Sequence, residues 1–180
     1  MPLTLEDREE IREVIARYDF AIDLGDPETY ANCFTEDGAF LHTGAGNKSK
    51  MAKRYTGRKE LHDFCQSVFE FAEGQLRHWN NGVQLLEGDG ETATMRSFII
   101  GFTCGVYPVP KIFETGIYYD KFRKVNGKWY IEERNFRCDP QPEHRGRTWD
   151  PQSSPMTSAE FLSLNKRAGR SPRLLSNSVS

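Results

Sequence analysis

Apolar residues near the start of the chain recur at the spacing of an α-helix, so they share one face. The residues of this apolar stripe are Ile11, Val14, Ile15, Tyr18 and Ile22. Thr4 followed by Asp7 resembles a capping box, and Gly25 suits a helix end because it adopts the left-handed conformation without strain. The pattern therefore predicts an amphipathic helix over residues 4–24.

Two further helices are predicted before residue 74. Asp26 and Pro27 suit the N-cap and the first position of a short helix that ends near residue 33. Gly57 and Gly74 bracket a longer helix, predicted over residues 58–73, whose apolar side chains lie on one face. This face carries Leu61, Phe64, Cys65, Val68, Phe69 and Ala72.

Strand patterns dominate the sequence after the third helix. The predicted strands cover residues 39–42, which follow a turn at 34–38, and then 77–87, 92–105, 112–124 and 128–137. Turn signals separate the later strands: Gly88-Asp-Gly90, the prolines at 108 and 110, and Asn126-Gly127. Helices followed by strands with short turns predict an α+β fold with a mostly antiparallel, curved sheet. Helices that close one side of such a sheet would enclose a pocket for a small molecule.

The 180-residue chain has the length of a single domain, and its composition changes near residue 139. We predict one domain over residues 1–139 and a C-terminal extension over residues 140–180, which is rich in Pro, Ser and Arg. Within the extension, only residues 158–166 have a helical pattern. The extension is expected to pack on the domain or on a neighbouring subunit through a few apolar residues. These are Trp149, Met156, Phe161 and Leu162.

Composition excludes several classes of function. A net charge of −2 and a pI of about 6.1 do not favour nucleic acid as a partner. No stretch approaches the roughly 18 apolar residues of a membrane span, and the acidic N-terminus does not resemble a signal peptide. The four cysteines lack the spacing of a zinc site or a disulfide framework, so a reducing, cytoplasmic location is predicted. The glycine-rich segment 44–50 lacks the spacing of a phosphate-binding loop.

Two carboxylates lie near the C-terminal end of the first predicted helix. The partial negative charge of a helix C-terminus disfavours carboxylates there, yet Asp23 lies in the last turn and Asp19 one turn before it. Either both are solvated on the surface, or one of them is held at the mouth of a pocket to take part in proton transfer.

Five segments, taken in order, resemble the SnoaL-like branch of the NTF2-like superfamily. They are Ile-Arg-Glu-Val-Ile-Ala-Arg-Tyr-Asp-Phe-Ala-Ile-Asp at 11–23, Phe-Thr-Glu-Asp-Gly-Ala-Phe at 34–40, Tyr-Thr-Gly-Arg-Lys-Glu-Leu at 55–61, Arg-His-Trp at 77–79, and Asn-Gly-Lys-Trp-Tyr-Ile at 126–131 followed by Arg134. The resemblance covers about residues 3–139. It implies an NTF2-like cone, in which a curved sheet closed by N-terminal helices surrounds a pocket.

Within that superfamily, the sequence is most similar to the group of dehydratases and dehydrochlorinases. This group includes scytalone dehydratase, bile-acid 7α-dehydratase and hexachlorocyclohexane dehydrochlorinase. The resemblance implies an Asp–His dyad of Asp23 and His78, a phenol at Tyr18 and a basic residue at Arg134. It also implies a homotrimer, with a dimer as the alternative, and catalysis without a metal or an organic cofactor.

These residue types suit a β-elimination. His78 would remove a proton beside an electron-withdrawing group, because imidazole titrates near neutrality. Asp23 would fix the tautomer of the ring. Tyr18 would donate a hydrogen bond to an oxygen, and Arg134 would stabilise negative charge. The expected enzyme is a lyase or isomerase that acts on an apolar cyclic small molecule of polyketide, steroid or aromatic type.

The roles of several polar residues stay open at this stage. Asp19 lies nearer the apolar stripe than Asp23 and could orient the histidine instead. Tyr18 could be an ordinary core residue. His42 and His62 have no matching partners in the sequence pattern, so we expect them on the surface.

Arg134 has an alternative interpretation of its own. It could form an ordinary ion pair of the strand with Glu132 or Glu133. Strand alternation places Arg134 on the same face as Tyr130 and Phe136, whereas Trp129 and Ile131 take the opposite face. The pattern does not say which of the two faces lines the pocket.

Two other functions are compatible with the same fold. The protein could bind a small ligand without catalysis, or play a structural part like the β subunits of ring-hydroxylating dioxygenases. Hydrolysis of an epoxide ranks last, because it requires a second Asp in a register that the sequence does not provide. The fold alone does not choose among these functions.

Overall fold

The computed structural model describes residues 2–43, 53–103 and 110–139. Its helices are α1 (Leu5–Leu24), α2 (Pro27–Asn32) and α3 (Gly57–Phe71). Its strands are β1 (Phe34–His42), β2 (Lys53–Thr56), β3 (Leu76–Gly88), β4 (Thr92–Thr103), β5 (Lys111–Val125) and β6 (Lys128–Cys138). The predictions for the glycine-rich segment 44–50, for Pro108 and for the extension over 140–180 lie outside the described residues.

The six strands form one open, curved sheet in the order β2-β1-β6-β5-β4-β3. Neighbouring strands are antiparallel except for β1 and β6, which run parallel. The helices cover one face of this sheet, where α1 contacts β3 and β6 and α3 contacts β1. The predicted α+β class with a mostly antiparallel, curved sheet is confirmed.

Strand β1 begins earlier than the sequence predicts. Phe34 already pairs with Ile131 of β6, and a bulge follows before Ala39 pairs with Glu133. The polar residues of this bulge resemble a turn, but cross-strand pairing overrides that local preference. The short strand β2 is also absent from the prediction, and it pairs with the end of β1.

A bulge in β6 changes which side chains face the helices. Glu132 is an extra residue where the pairing with β5 shifts, so two successive parts of the strand present side chains to the same face. The side chains buried on this face are Trp129, Ile131, Arg134 and Phe136. The prediction that Arg134 lies on the face opposite to Trp129 and Ile131 is therefore wrong.

The N-terminus of α1 is attached to the hairpin of β5 and β6. Thr4 and Asp7 form the predicted capping box, with hydrogen bonds of 3.1 and 2.9 Å between side chain and backbone. Oδ1 of Asp7 also accepts from Nζ of Lys124 at 2.7 Å and from Nε1 of Trp129 at 2.9 Å. Hydrogen bonds from Lys124 and Trp129 hold the pKa of Asp7 well below its ordinary value.

Gly25 ends α1 in the left-handed conformation, at a φ of 71°. Its backbone N–H donates to the carbonyl of Ala21, and a Cβ atom at this position would lie 2.7 Å from the ring of Phe69 in α3. Only glycine satisfies both the backbone conformation and the close approach of the ring. The last turn of α1, which carries Asp23, is thus fixed against α3.

All five residues of the apolar stripe of α1 are buried, which confirms the predicted core face. The ring of Tyr18 packs on those of Tyr30, Phe34 and Tyr118, with centroids 4.8 to 6.4 Å apart. Aromatic side chains from two helices and two strands therefore meet beneath α1. In the described part of the chain, no helix is long and apolar enough to cross a membrane.

Candidate active site

Asp23 in the last turn of α1 and His78 in β3 are in direct contact. Oδ1 of Asp23 lies 2.6 Å from Nδ1 of His78, and Oδ2 accepts a 2.8 Å hydrogen bond from the backbone N–H of the same histidine. Only 9% of the Asp23 side chain and 6% of the His78 side chain are exposed. The contact that the sequence predicts between these residues is present, and their part in catalysis is a proposal.

The two donors explain how a carboxylate is tolerated at this end of α1. Hydrogen bonds to both oxygens of Asp23 offset the unfavourable field of the helix C-terminus. A carboxylate can only accept a hydrogen bond, so Nδ1 of His78 has to be the donor in this contact. The proton of a neutral His78 ring therefore lies on Nδ1. Nε2 is then the basic nitrogen of the ring.

A second polar contact, parallel to the first, also joins α1 to β3. Nδ2 of Asn80 donates to Oδ1 of Asp19 at 2.5 Å. The two aspartates are separated by about 6 Å along the helix axis, and His78 and Asn80 by roughly 6.6 Å along the strand. The two spacings nearly match, so both contacts form together. Asp19 therefore binds Asn80, and Asp23 is the residue that orients His78.

On its other side, the ring of His78 faces Glu114 of β5. Nε2 of His78 is 4.0 Å from Oε1 of Glu114, and Oε2 of Glu114 is 4.0 Å from Nε2 of His42 in β1. The side chains of Glu114 and His42 are each 16% exposed. Burial raises the pKa of Glu114 and lowers the pKa of His42, so it favours the neutral form of both.

The expectation that His42 lies on the surface is wrong. Its ring packs edge-on against the ring of Phe136, with centroids 4.9 Å apart. The cause is the parallel pairing of β1 with β6, which places His42 directly beside Phe136. His62 agrees better with the expectation, because 42% of its side chain is exposed on α3.

Arg134 occupies a fully buried cluster with Tyr18, Tyr118 and Asp120. Its guanidinium carbon lies 4.2 Å from the ring centroid of Tyr18 and 3.8 Å from that of Tyr118. Nε of Arg134 is 3.2 Å from Oδ1 of Asp120, and neither of these two side chains is exposed. Burial raises the pKa of Asp120 to about 6, although Arg134 favours the charged form. Near neutral pH the pair is therefore ionised, with the cation held between two aromatic faces.

The glutamates next to Arg134 in the sequence do not pair with it. Glu133 pairs with Arg54 at 2.9 Å, and Glu132 pairs with Arg123 at 3.5 Å. These pairs form because the bulge leaves both glutamates on the partly exposed side of β6. The alternative of an ordinary strand ion pair for Arg134 is replaced by the buried pair with Asp120.

Tyr18 is a core residue that also belongs to the arginine cluster. It is 1% exposed, and its hydroxyl oxygen accepts a 3.3 Å hydrogen bond from the hydroxyl group of Tyr30. Burial raises the pKa of Tyr18, so the phenol is neutral. Asp19 connects the two parts of the site: burial raises its pKa, while the charges of Arg134 and His78 act in the opposite direction.

The sequence does not single out three polar residues of the site, Asn80, Glu114 and Asp120. For two of them a signal exists, because Glu114 and Asp120 lie at alternate positions with Tyr118 on one face of an aromatic strand. Acidic residues on the apolar face of a strand are candidates for a buried site. No such signal marks Asn80, whose contact depends on the register of α1 against β3.

The site has a less buried end at His78, Glu114 and His42, whose side chains are 6% to 16% exposed, and a closed end at Arg134 and Asp120, whose side chains are not exposed. At the less buried end, an imidazole oriented by one carboxylate faces a second carboxyl group. This arrangement can move protons. In residues 2–43, 53–103 and 110–139, no group of three or more His, Cys, Asp or Glu side chains is placed to hold a metal ion.

Residues 3–135 match the SnoaL-like domain family. A protein of unknown function with a cystatin-like fold from Nostoc punctiforme is 27% identical, with 78% of this chain and 97% of that chain covered and a TM-score of 0.67. An NTF2-like protein from Novosphingobium aromaticivorans is 26% identical, with 81% and 91% covered and a TM-score of 0.66. A candidate scytalone dehydratase from the same organism is 22% identical, with 81% and 97% covered and a TM-score of 0.62. No curated protein matches the sequence.

Proposed function

The chain belongs to the SnoaL-like family, and we propose that it is a dehydratase-type lyase that catalyses β-elimination from an apolar cyclic small molecule. The family includes dehydratases, isomerases and polyketide cyclases, and its members bind small hydrophobic ligands. The observation that carries the proposal is the contact of Asp23 with Nδ1 of His78, which leaves Nε2 as a base at the less buried end of the site.

In the proposed reaction, Nε2 of His78 removes a proton from the carbon next to a carbonyl group. Asp23 stabilises the imidazolium that forms, because its carboxylate already accepts the proton on Nδ1. The same base could return the proton to a different carbon, which would give an isomerase. The lyase is favoured because a second carboxyl group faces the base and could serve the leaving group.

We propose that Arg134 and Tyr18 act on the charge that develops during this reaction. Arg134 is fully buried, so its positive charge acts through space rather than by direct contact at the less buried end of the site. Tyr18 packs against the guanidinium group and is held by the hydroxyl group of Tyr30. In this proposal Tyr18 positions the charge, and Arg134 stabilises the enolate-like anion.

We also propose that the protein is a cytoplasmic homotrimer, with a dimer as the alternative. Large apolar side chains are exposed on the outer face of β3 and β4, which supports assembly because such patches mark interaction surfaces. They are Trp79 at 61%, Phe98 at 61% and Ile100 at 39% exposure. Free thiols in the described residues suit a reducing compartment. They are Cys33, Cys65 and Cys138.

The test of the lyase proposal is the dehydration of a hydroxytetralone. This bicyclic aromatic ketone carries a hydroxyl group β to the carbonyl, and its loss of water gives a fluorescent naphthol. We expect the wild-type protein to accelerate naphthol formation above the rate in buffer. His78→Ala is expected to lower the enzymatic rate about 10²–10⁴-fold.

The matched control is His62→Ala, because His62 lies on α3 and a large part of its side chain is exposed. Circular dichroism would verify that both variants are folded, and the control should keep the wild-type rate. Naphthol formation at the buffer rate with the wild-type protein, or an unchanged rate in His78→Ala, would show that the proposed function is wrong.

A further inference from the structure

Three neighbouring strands bring Glu114 close to His78. In the sheet, His78 of β3 pairs with Gly101 of β4, and Gly101 pairs with Glu114 of β5. A Cβ atom at Gly101 would lie 2.9 Å from Cγ of Glu114 and 3.4 Å from its Oε1. The side chain of Glu114 therefore crosses the space that the glycine leaves, and its carboxyl group comes within 4.0 Å of Nε2 of His78.

We propose that Glu114 is the general acid of the elimination, which protonates the leaving hydroxyl group while His78 removes the proton from carbon. This inference rests on the proposed function of the same site. The 4.0 Å between Nε2 and Oε1 is too long for a direct hydrogen bond. It is short enough for one small fragment of substrate, a C–H bond next to a C–O bond, to meet both groups.

A general acid has to carry a proton near neutral pH, and the surroundings of Glu114 favour this. Burial raises the pKa of Glu114, although His78 favours its charged form. On the other side, burial lowers the pKa of His42, so that ring supplies little positive charge to the carboxyl group. Asp23 instead contacts two nitrogens of His78 through its two oxygens, so both of its oxygens are already engaged. The environments thus assign different roles to the two carboxyl groups.

The step balances without a further reactant. Nε2 of His78 takes the proton, the electron pair of the C–H bond becomes the second bond of the alkene, and the C–O bond breaks. Glu114 gives its proton to the departing oxygen, which leaves as water. The imidazolium of His78 then returns its proton to the carboxylate of Glu114, and the released water can carry it across the gap between them. The site is thereby restored for the next turnover.

Two substrates with different leaving groups test this role. The hydroxytetralone needs a proton on its leaving oxygen, whereas its nitrophenoxy analogue releases a stable phenoxide and gives the same naphthol. Glu114→Gln keeps the size of the side chain but cannot donate an acidic proton. We expect this variant to lower the rate with the hydroxytetralone about 10²–10⁴-fold and to leave the rate with the nitrophenoxy analogue nearly unchanged.

Gly101→Ala provides a second, independent variant. The added methyl group would displace the side chain of Glu114, so we expect the same dependence on the leaving group although the carboxyl group is still present. Glu13→Gln is the matched control, because Glu13 is exposed on α1, and it should keep both rates. Urea unfolding would verify that each variant is folded under the assay conditions.

Different failures have different meanings. If Glu114→Gln lowers the elimination rates of both substrates equally, Glu114 has a structural role. If it lowers neither rate, Glu114 has no role in the reaction. Each result would overturn the inference, while the proposed lyase activity would stand. If the wild-type protein accelerates neither elimination, the proposed function and this inference are both wrong.

Discussion

Asp23 accepts hydrogen bonds from two donors of one residue, the ring Nδ1–H and the backbone N–H of His78. Its two oxygens thus orient the ring relative to the strand that carries it, and they also attach that strand to the end of α1. One side chain therefore fixes both the tautomer and the position of the proposed base.

Asp23→Asn should weaken both the orientation of the His78 ring and the attachment of β3 to the end of α1. An amide has one acceptor oxygen and a donor NH₂ group, so either the ring or the backbone N–H of His78 loses its acceptor. We expect the rate with the hydroxytetralone to fall roughly 10²–10⁴-fold and the free energy of unfolding to fall by about 1–3 kcal/mol. Initial rates and urea unfolding measure the two effects. An unchanged rate would argue against the orienting role, whatever the change in stability.

Arg134→Ala should be strongly destabilising. The substitution removes the contacts with Tyr18 and Tyr118, leaves a void and deprives the buried Asp120 of its counter-charge. We expect a loss of about 3–5 kcal/mol in the free energy of unfolding. The matched control is Arg137→Ala, because Arg137 is exposed on the same strand and lies 4.6 Å from the ring of Tyr119. Urea unfolding should show less than about 1 kcal/mol for the control, and equal losses would contradict the prediction.

Gly25→Ala and Gly127→Ala separate backbone strain from steric overlap. Both glycines have positive φ, 71° and 77°, which costs an alanine about 1–2 kcal/mol. A Cβ atom at Gly25 would also overlap the ring of Phe69, whereas nothing lies within 4 Å of such an atom at Gly127. Thermal and urea unfolding should therefore show a loss for Gly25→Ala that exceeds that for Gly127→Ala by about 1–3 kcal/mol. Similar losses would mean that the ring moves aside at little cost.

Asp7→Asn should reduce stability in a pH-dependent way. The pKa of Asp7 is lowered in the folded protein by hydrogen bonds from Lys124 and Trp129. A lowered carboxyl pKa contributes stability above the unfolded value of about 3.9, and the contribution is lost as the pH falls through the folded value. We expect the variant to be about 1–3 kcal/mol less stable at pH 7, with a difference that narrows below about pH 4.

Urea unfolding at pH 7 and pH 3 measures this difference. The matched control is Glu6→Gln, because Glu6 is exposed in the same first turn of α1 and should cost less than about 1 kcal/mol. If the loss of unfolding free energy caused by Asp7→Asn is larger at pH 3 than at pH 7, the pKa of Asp7 is not lowered in the folded protein and the prediction is wrong.

Truncation after residue 139 tests the proposed role of the C-terminal extension. We expect the shortened protein to change its oligomeric state or to lose activity, because the apolar residues of the extension would no longer cover the domain or a neighbouring subunit. Light scattering and naphthol formation measure the two properties. If the shortened protein keeps both, the extension has neither role.

The sequence predicts the features of this protein that depend on local pattern. The apolar stripe, the capping box and Gly25 define α1 within one residue of its observed bounds, and they place Asp23 in its last turn. The resemblance supplies the partner, His78, and the two side chains are in contact. Helix ends and family motifs carry this information because they act over a few residues.

The parts that the sequence does not predict depend on how strands are aligned. Glu132 looks like an ordinary strand residue, and only its pairing with β5 shows that it is a bulge. The partner of Arg134 therefore could not be identified, since Asp120 faces it from the neighbouring strand. The approach of Glu114 to His78 also depends on strand alignment, because the alignment places Gly101 between them. Gly101 is not adjacent to either residue in the sequence.

The extra residue at Glu132 gives the two halves of β6 separate duties. In the first half, Trp129 donates a hydrogen bond to Asp7 and attaches the start of α1 to the sheet. In the second half, Arg134 pairs with Asp120. Deletion of Glu132 would exchange the inward-facing and outward-facing positions in the second half of β6. Arg134 would then point toward solvent, while the first half of the strand would keep its place. Which residues of β6 face inward thus decides whether the closed end of the site carries a charge. A one-residue insertion or deletion in this strand therefore offers a short evolutionary route between a charged and an uncharged interior in the same fold.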